Sequence, residues 1–280
     1  MEMNLGLSER VAKLRDRVSE IIRNDIMPLE AEYHAEVSKG DRWTLTDRQV
    51  EIMTGLKDKV RAEGLWNFWL TGSDKGFGLT TVEYAYMAEE LGKSPLAAEV
   101  FNCNAPDTGN MEVFARYGSD AMKARWLAPL LEGEIRSAYL MTEPDVASSD
   151  ATNIAMSCMR DGDDYVINGT KTWITNGIQG SCVALLVKTD PAAEPRYRGM
   201  SLFIAPKGEG FTVGKKLKKL GYNAIDSAEL IFEDYRLPAA NLIGGEEGKG
   251  FFQATGGLEL GRINVAARGV GLAEGSLRLA

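Results

Sequence analysis

A chain of 280 residues, 44% of them hydrophobic, is long enough for about two domains with their own cores. Its net charge of −8 disfavours nucleic-acid binding, and its one basic cluster, Lys215, Lys216, Lys218 and Lys219, reads as a solvated strand edge. Cys103, Cys158 and Cys182 are widely spaced and odd in number, so they read as buried filler in a reducing compartment; with no signal-like start and no bilayer-length apolar run, a cytoplasmic protein without membrane insertion is expected.

In chain order, Leu7, Val11, Leu14, Val18 and Ile21 recur at helical spacing and predict a first amphipathic helix. A second opens at a capping box, Thr46 with Gln49, carries Val50, Met53, Leu56 and Val60 on one face, and stops at Gly64. A third repeats the pattern with Thr80 and Glu83 and runs to Leu91. Further helical segments cover Asn110 to Tyr117 and Asp120 to Leu131.

After Gly133 the period becomes alternating. Tyr165 to Ile167 and Thr170 to Thr175 flank Asn168-Gly169, which predicts a hairpin turn there. Ser181 to Thr189, Met200 to Ala205, Phe211 to Val213 and Ala228 to Phe232 continue as short strands between Pro, Gly and Asp turns. From Gly250 the pattern is helical again, through Leu258, Ile263, Ala266, Val270 and Leu277, and no stop signal closes it. The fold class is α+β: an all-α domain over 1–135, a β-barrel or sandwich domain over 136–245, and the start of a C-terminal helical bundle over 246–280.

That segregated order disfavours a Rossmann fold. Gly269-x-Gly271 runs to Glu274 where a third glycine is needed, and Gly248-Lys249 lacks the rest of a phosphate loop. The single histidine, His34, has no cysteine neighbour and the chain has no G-x-S-x-G elbow, so metal-centre and hydrolase readings fail.

The stretch Tyr139-Leu140-Met141-Thr142-Glu143-Pro144-Asp145-Val146-Ala147-Ser148-Ser149-Asp150, followed by Trp173-Ile174-Thr175-Asn176-Gly177, resembles the paired flavin-contacting signatures of the acyl-CoA dehydrogenase family. Trp126 to Glu134 resembles the run leading into the first signature, and Phe232 to Pro238 with Asn241 to Gly244 the exit from the β-domain. Asn102 to Glu112 and the Asp-Val-Ala-Ser-Ser form are closest to the branch handling longer or unusual acyl chains.

The resemblance implies FAD as cofactor, with Tyr139, Met141, Thr142, Ser148, Trp173, Ile174 and Thr175 around the flavin. It places Ser149, Glu259 and Arg262 against the acyl-CoA substrate, the last two as an alternative to a plain exposed ion pair. The chemistry implied is α,β-dehydrogenation to the trans-2-enoyl-CoA, with electrons passed to an electron-transfer flavoprotein and a homodimeric or homotetrameric full-length form. In most of the family the catalytic glutamate lies beyond the position of Ala280; in a minority it occupies the position of Gly261. A C-terminally truncated chain is therefore expected, with an apolar face exposed on its last helix. An acyl-CoA or nitroalkane oxidase on the same fold, or an inactive ligand-binding relic, are the competing readings.

Overall fold

Side-chain caps set the helix starts in the computed structural model, which describes residues 6–39, 43–70, 76–147, 150–222 and 225–280. Ser8 caps α1 (Glu9–Ile21), and, after α2 (Met27–Val37), both expected capping boxes form, at α3 (Asp47–Ala62) and α4 (Thr81–Gly92). Thr46 Oγ1 accepts from the Gln49 N–H at 3.2 Å while Gln49 Oε1 accepts from the Thr46 N–H at 3.0 Å. Gly64 closes α3 at a φ of 71°, with Leu65 N–H returning to the Val60 carbonyl, the glycine-terminated ending its position predicts.

The first helix is longer than its sequence pattern suggests: α1 passes through a π turn (Ile22–Ile26) into α2 (Met27–Val37). The π turn resets the helical phase, which hides the continuation from a 3.6-residue reading. Val50, expected inside, is 48% exposed, and Ile52 takes its place in the core beside Met53, Leu56 and Val60. Short helices α5 (Ala97–Val100), α6 (Asp107–Tyr117), α7 (Asp120–Met122) and α8 (Ala128–Leu131) follow. Long helix α9 (Gly250–Leu279) closes the chain.

Between α8 and α9 lie seven strands: β1 (Ser137–Leu140), β2 (Ser157–Asp161), β3 (Asp164–Thr175), β4 (Cys182–Lys188), β5 (Met200–Pro206), β6 (Phe211–Lys216) and β7 (Ser227–Pro238). They form one mixed sheet of order β1-β4-β2-β3-β7-β6, with β5 also on β4. β1 runs parallel to β4 and is linked to it through the β2–β3 hairpin, so a parallel pair arises without a crossover helix. Ala138, Leu140, Ile167, Ile174, Leu185, Phe203, Leu230 and Phe232 fill the interior of this sheet.

The predicted turn at Asn168-Gly169 does not exist. β3 runs straight through it, and the hairpin to β2 turns instead at Gly162, at a φ of 63°. Asn168 and Gly169 form a bulge against β7: the register slips between Ile167 and Gly169, and Asn168 bonds to Asp234 through both its amide nitrogen and its oxygen. Gly169 has a φ of 142°, and a Cβ there would lie 2.9 Å from Met156 Cγ. Glycine is selected by crowding, not by chain reversal.

The chain divides into two compact units, residues 1–108 with 259–280, and residues 109–258. Within the first, α9 packs on α4 by close backbone approach: a Cβ on Gly271 would stand 1.8 Å from the Glu89 carbonyl oxygen. Lys93 joins Glu90 and Glu274 at 2.8 and 3.0 Å. This contact buries Asn264 and Gly271, while Ile263, Ala266, Val270 and Leu277 are exposed. All three cysteines are buried, and none is in a disulfide. Among the described residues no helix is long and apolar enough to cross a membrane, and no cluster of His, Cys, Asp and Glu could hold a metal ion.

Candidate functional site

The first signature leaves the sheet at the end of β1. Asn110 fixes that strand's start by donating from Nδ2 to Ser137 Oγ (2.9 Å) and the Ala138 carbonyl (3.0 Å). Beyond Leu140 the chain stays beside β3, because Thr172 N–H donates to the Thr142 carbonyl at 2.9 Å. Lys171, on β3, is fully buried; its Nζ donates to the Met141 carbonyl (3.1 Å) and to Glu143 Oε1 (2.8 Å). The Glu143 carboxylate also accepts from the N–H groups of Ala155 (2.6 Å) and Met156 (3.1 Å). Burial pulls the Lys171 ammonium down to about 8, against the opposing attraction of Glu143.

The second signature is shaped by a slip in β3. The β3–β7 register breaks between Lys171 and Ile174, and Trp173 takes a φ of 60° with its side chain 60% exposed. Its neighbour Ile174 turns the other way into the core. Left-handed backbone at a bulky aromatic costs free energy and persists only where the surroundings enforce it. Asn176, also at a φ of 60°, donates from Nδ2 to the Ser137 carbonyl at 3.0 Å. The buried Asp226 carboxylate then accepts from the N–H groups of Ile178 (3.0 Å) and Gln179 (3.1 Å). Gly177 sits in tight contact, since a Cβ there would lie 3.2 Å from Ala228 Cβ.

The two signatures thus meet edge to edge. Tyr139, Met141 and Thr142 lie half-buried on one side of the junction, with Trp173 and Thr175 on the other. The N–H and hydroxyl of Thr142 and the hydroxyl of Thr175 enter no hydrogen bond among the described residues. Burial raises the Tyr139 phenol above its ordinary value, so it stays neutral. Ile174 contributes its backbone alone, because its side chain belongs to the core. Ser148 and Ser149 lie outside the described residues.

Glu259 and Arg262 are exposed on α9 and form no ion pair with each other. A Cβ on Gly261, between them, would meet nothing within 4 Å. In the sequence Glu143 and Asn110 stand inside quoted runs without a role, and Lys171 and Asp226 are not singled out. A lysine set between Thr170 and Thr172 in a strand is the available signal, since a buried ammonium demands a carboxylate.

A flat aromatic cofactor fits this junction. Trp173 offers an exposed indole beside uncommitted donors at Thr142 and Thr175, all on backbone fixed from behind. Such donors suit a ring system that gains negative charge on reduction.

The N-terminal domain model of acyl-CoA dehydrogenases matches residues 8–134, and the middle domain model matches residues 138–235. Acyl-CoA dehydrogenase family member 10 of Mus musculus is 43% identical over 98% of this chain, which spans only 26% of that relative's length. A solved structure from Mycobacterium abscessus, described as an acyl-CoA dehydrogenase, is 42% identical with a TM-score of 0.90, covering 98% of this chain and 69% of that one. The glutaryl-CoA dehydrogenase of Mycobacterium smegmatis, solved in complex with FADH2, is 25% identical with a TM-score of 0.75, over 97% of this chain and 64% of that one. Helical start, curled sheet, paired signatures and relatives agree, and the chain belongs to the acyl-CoA dehydrogenase family.

Proposed function

We propose that the protein acts as an FAD-dependent dehydrogenase that converts a fatty acyl-CoA thioester to the trans-2-enoyl-CoA. The observation that carries the reading is Trp173, held at a φ of 60° and 60% exposed beside the uncommitted donors of Thr142. An aromatic forced outward against its backbone preference fits a surface that a ligand ring covers. When bound, FAD supplies the two-electron acceptor that no side chain of the protein can provide. Thr142 and Thr175 orient the ring by donating to it, Trp173 shields it from water, and Tyr139 and Met141 complete its walls. Ser149, Glu259 and Arg262 are assigned to the CoA thioester by the family resemblance.

Removal of the proton α to the thioester carbonyl requires a positioned base. Gly261 offers none, and Glu259 lies about 200° away from it around α9 at 3.6 residues per turn. In most of the family, by the resemblance, the proton acceptor is a carboxylate of the last helical region, and no residue of 1–280 is assigned that role. The partners assigned are an electron-transfer flavoprotein and a second copy of the chain, in a cytoplasmic dimer or tetramer.

The test is the visible spectrum of the purified chain loaded with FAD, titrated anaerobically with a saturated acyl-CoA. Retained flavin whose band shifts on adding the thioester is expected, with bleaching and enoyl-CoA appearing once a base is supplied at the open position by Gly261→Glu. A chain that retains no flavin would sink the reading, and peroxide formed in air would turn it towards an oxidase.

A further inference from the structure

Behind the two signatures lies one buried ion pair. Lys171 and Glu143 have side chains 0% and 5% exposed, and neither reaches the surface where a ligand would bind. All their other bonds end on backbone: Lys171 on the Met141 carbonyl, Glu143 on the Ala155 and Met156 N–H groups. The pair ties residues 141–143 of the first signature to β3, two residues before Trp173 opens the second. With Thr172 N–H bonded to the Thr142 carbonyl, these bonds fix the peptide planes on both sides of Thr142. Its N–H, aimed by the first of these planes, and its hydroxyl enter no hydrogen bond among the described residues.

A methionine and a leucine would fill this volume without the cost of removing two charges from water. What they would not supply is direction, because apolar packing does not specify the orientation of a carbonyl.

Resting on the flavin reading above, we propose that Lys171 and Glu143 are the positioning residues of the flavin-ring site: they hold Thr142 and, through β3, Trp173 in the geometry that binds and tunes the ring. Neither touches the ring; both act through Thr142.

The experiment compares the wild-type chain with Lys171→Met/Glu143→Leu, which removes both charges together, and with Glu143→Gln, which keeps the shape. Hydrogen exchange is read on the FAD-free proteins at residues 141–143, 172–175 and, as an internal control, in β4 and β5. FAD affinity is read by fluorescence quenching, and the two-electron midpoint potential by dye equilibration. The expected result is faster exchange confined to the two signature segments, FAD affinity lower by roughly 10- to 100-fold, the range seen when groups that orient a direct ligand are removed, and a more negative potential.

Wild-type exchange in 141–143 and 172–175 of the folded double variant would overturn the proposal. So would wild-type FAD affinity and potential despite faster exchange. If the double variant does not fold, Glu143→Gln decides by the same criteria, with smaller changes in the same directions required. A wild-type chain that binds no FAD refutes the flavin reading instead, and the exchange arm still decides whether the pair orders the two segments.

Discussion

Lys171 Nζ lies 2.8 Å from Glu143 Oε1 with both side chains out of water, so each charge is tolerable only because of the other. Lys171→Met alone strands the Glu143 carboxylate, and the expected loss is about 3–5 kcal/mol of stability. Lys171→Met/Glu143→Leu is expected to recover most of that loss, because no uncompensated charge remains. Urea unfolding of the three proteins under identical conditions checks this; a double variant no more stable than the single one would contradict it.

The same pair gives a pH signature with a defined sign. Burial holds Lys171 at about 8 in the folded chain against 10.5 ordinarily, so between these values the unfolded state binds more protons. The cost of keeping the lysine charged is fully present below about pH 8 and is relieved as pH rises towards 10.5. Wild type is expected to gain on the Lys171→Met/Glu143→Leu variant across that window, by at most roughly 1.4 kcal/mol per pH unit. Urea midpoints of both proteins at pH 7.5 and 9.5, their difference taken to cancel other titrating groups, provide the measurement; wild type losing ground to the variant between the two would contradict the sign.

Trp173 separates binding from stability. Its side chain is 60% exposed, so little burial is lost on truncation, and its left-handed backbone is relieved by glycine. Trp173→Gly is expected to leave thermal stability within about 1 kcal/mol of wild type while weakening FAD binding at least several-fold. Calorimetric melting and flavin fluorescence titration on the same preparation read both effects. A variant that unfolds easily would mean the indole is structural.

Much of this arrangement was legible in the sequence, and the failures share one cause. Capping boxes at Thr46 and Thr80 and the ending at Gly64 are local chemistry, and they form as read. Thr142 and Trp173, named from the family resemblance, lie on segments joined by the bond from Thr172 N–H to the Thr142 carbonyl. Asn168-Gly169 misled because the same pair that makes a tight turn also makes a bulge, and only β7 and Met156 decide between them. Val50 misled likewise: it shares the helical spacing of Met53, Leu56 and Val60, whereas packing selected Ile52. The role of Lys171 needed its partner Glu143, 28 residues away in the chain, to be placed beside it.

Thiol chemistry follows from burial. Cys103 and Cys158 are pushed up to about 12 chiefly by desolvation, and Cys182 is buried in β4. None of the three is expected to react with an aromatic disulfide reagent at pH 8 in the folded chain, and all three react in denaturant. Counting released thiolate by absorbance, with and without urea, tests this; one fast thiol in the native protein would place a cysteine at the surface.

Gly261 and Gly271 stand ten residues apart on one helix, yet substitution is expected to move stability in opposite directions. Around Gly261 a Cβ meets nothing within 4 Å, so Gly261→Ala adds only helix propensity, worth about 1 kcal/mol in favour of the folded chain. At Gly271 the same Cβ would stand 1.8 Å from the Glu89 carbonyl oxygen, which belongs to the backbone of α4 and cannot swing aside. The two helices would have to separate, loosening Lys93 from Glu274 as well, so Gly271→Ala is expected to cost about 3 kcal/mol or more, at the upper end for overpacking. Thermal unfolding of both variants decides it. Equal effects would mean that α9 does not approach α4 this closely in solution, and opposite ones would leave position 261 free to accept the larger glutamate on which the functional test depends.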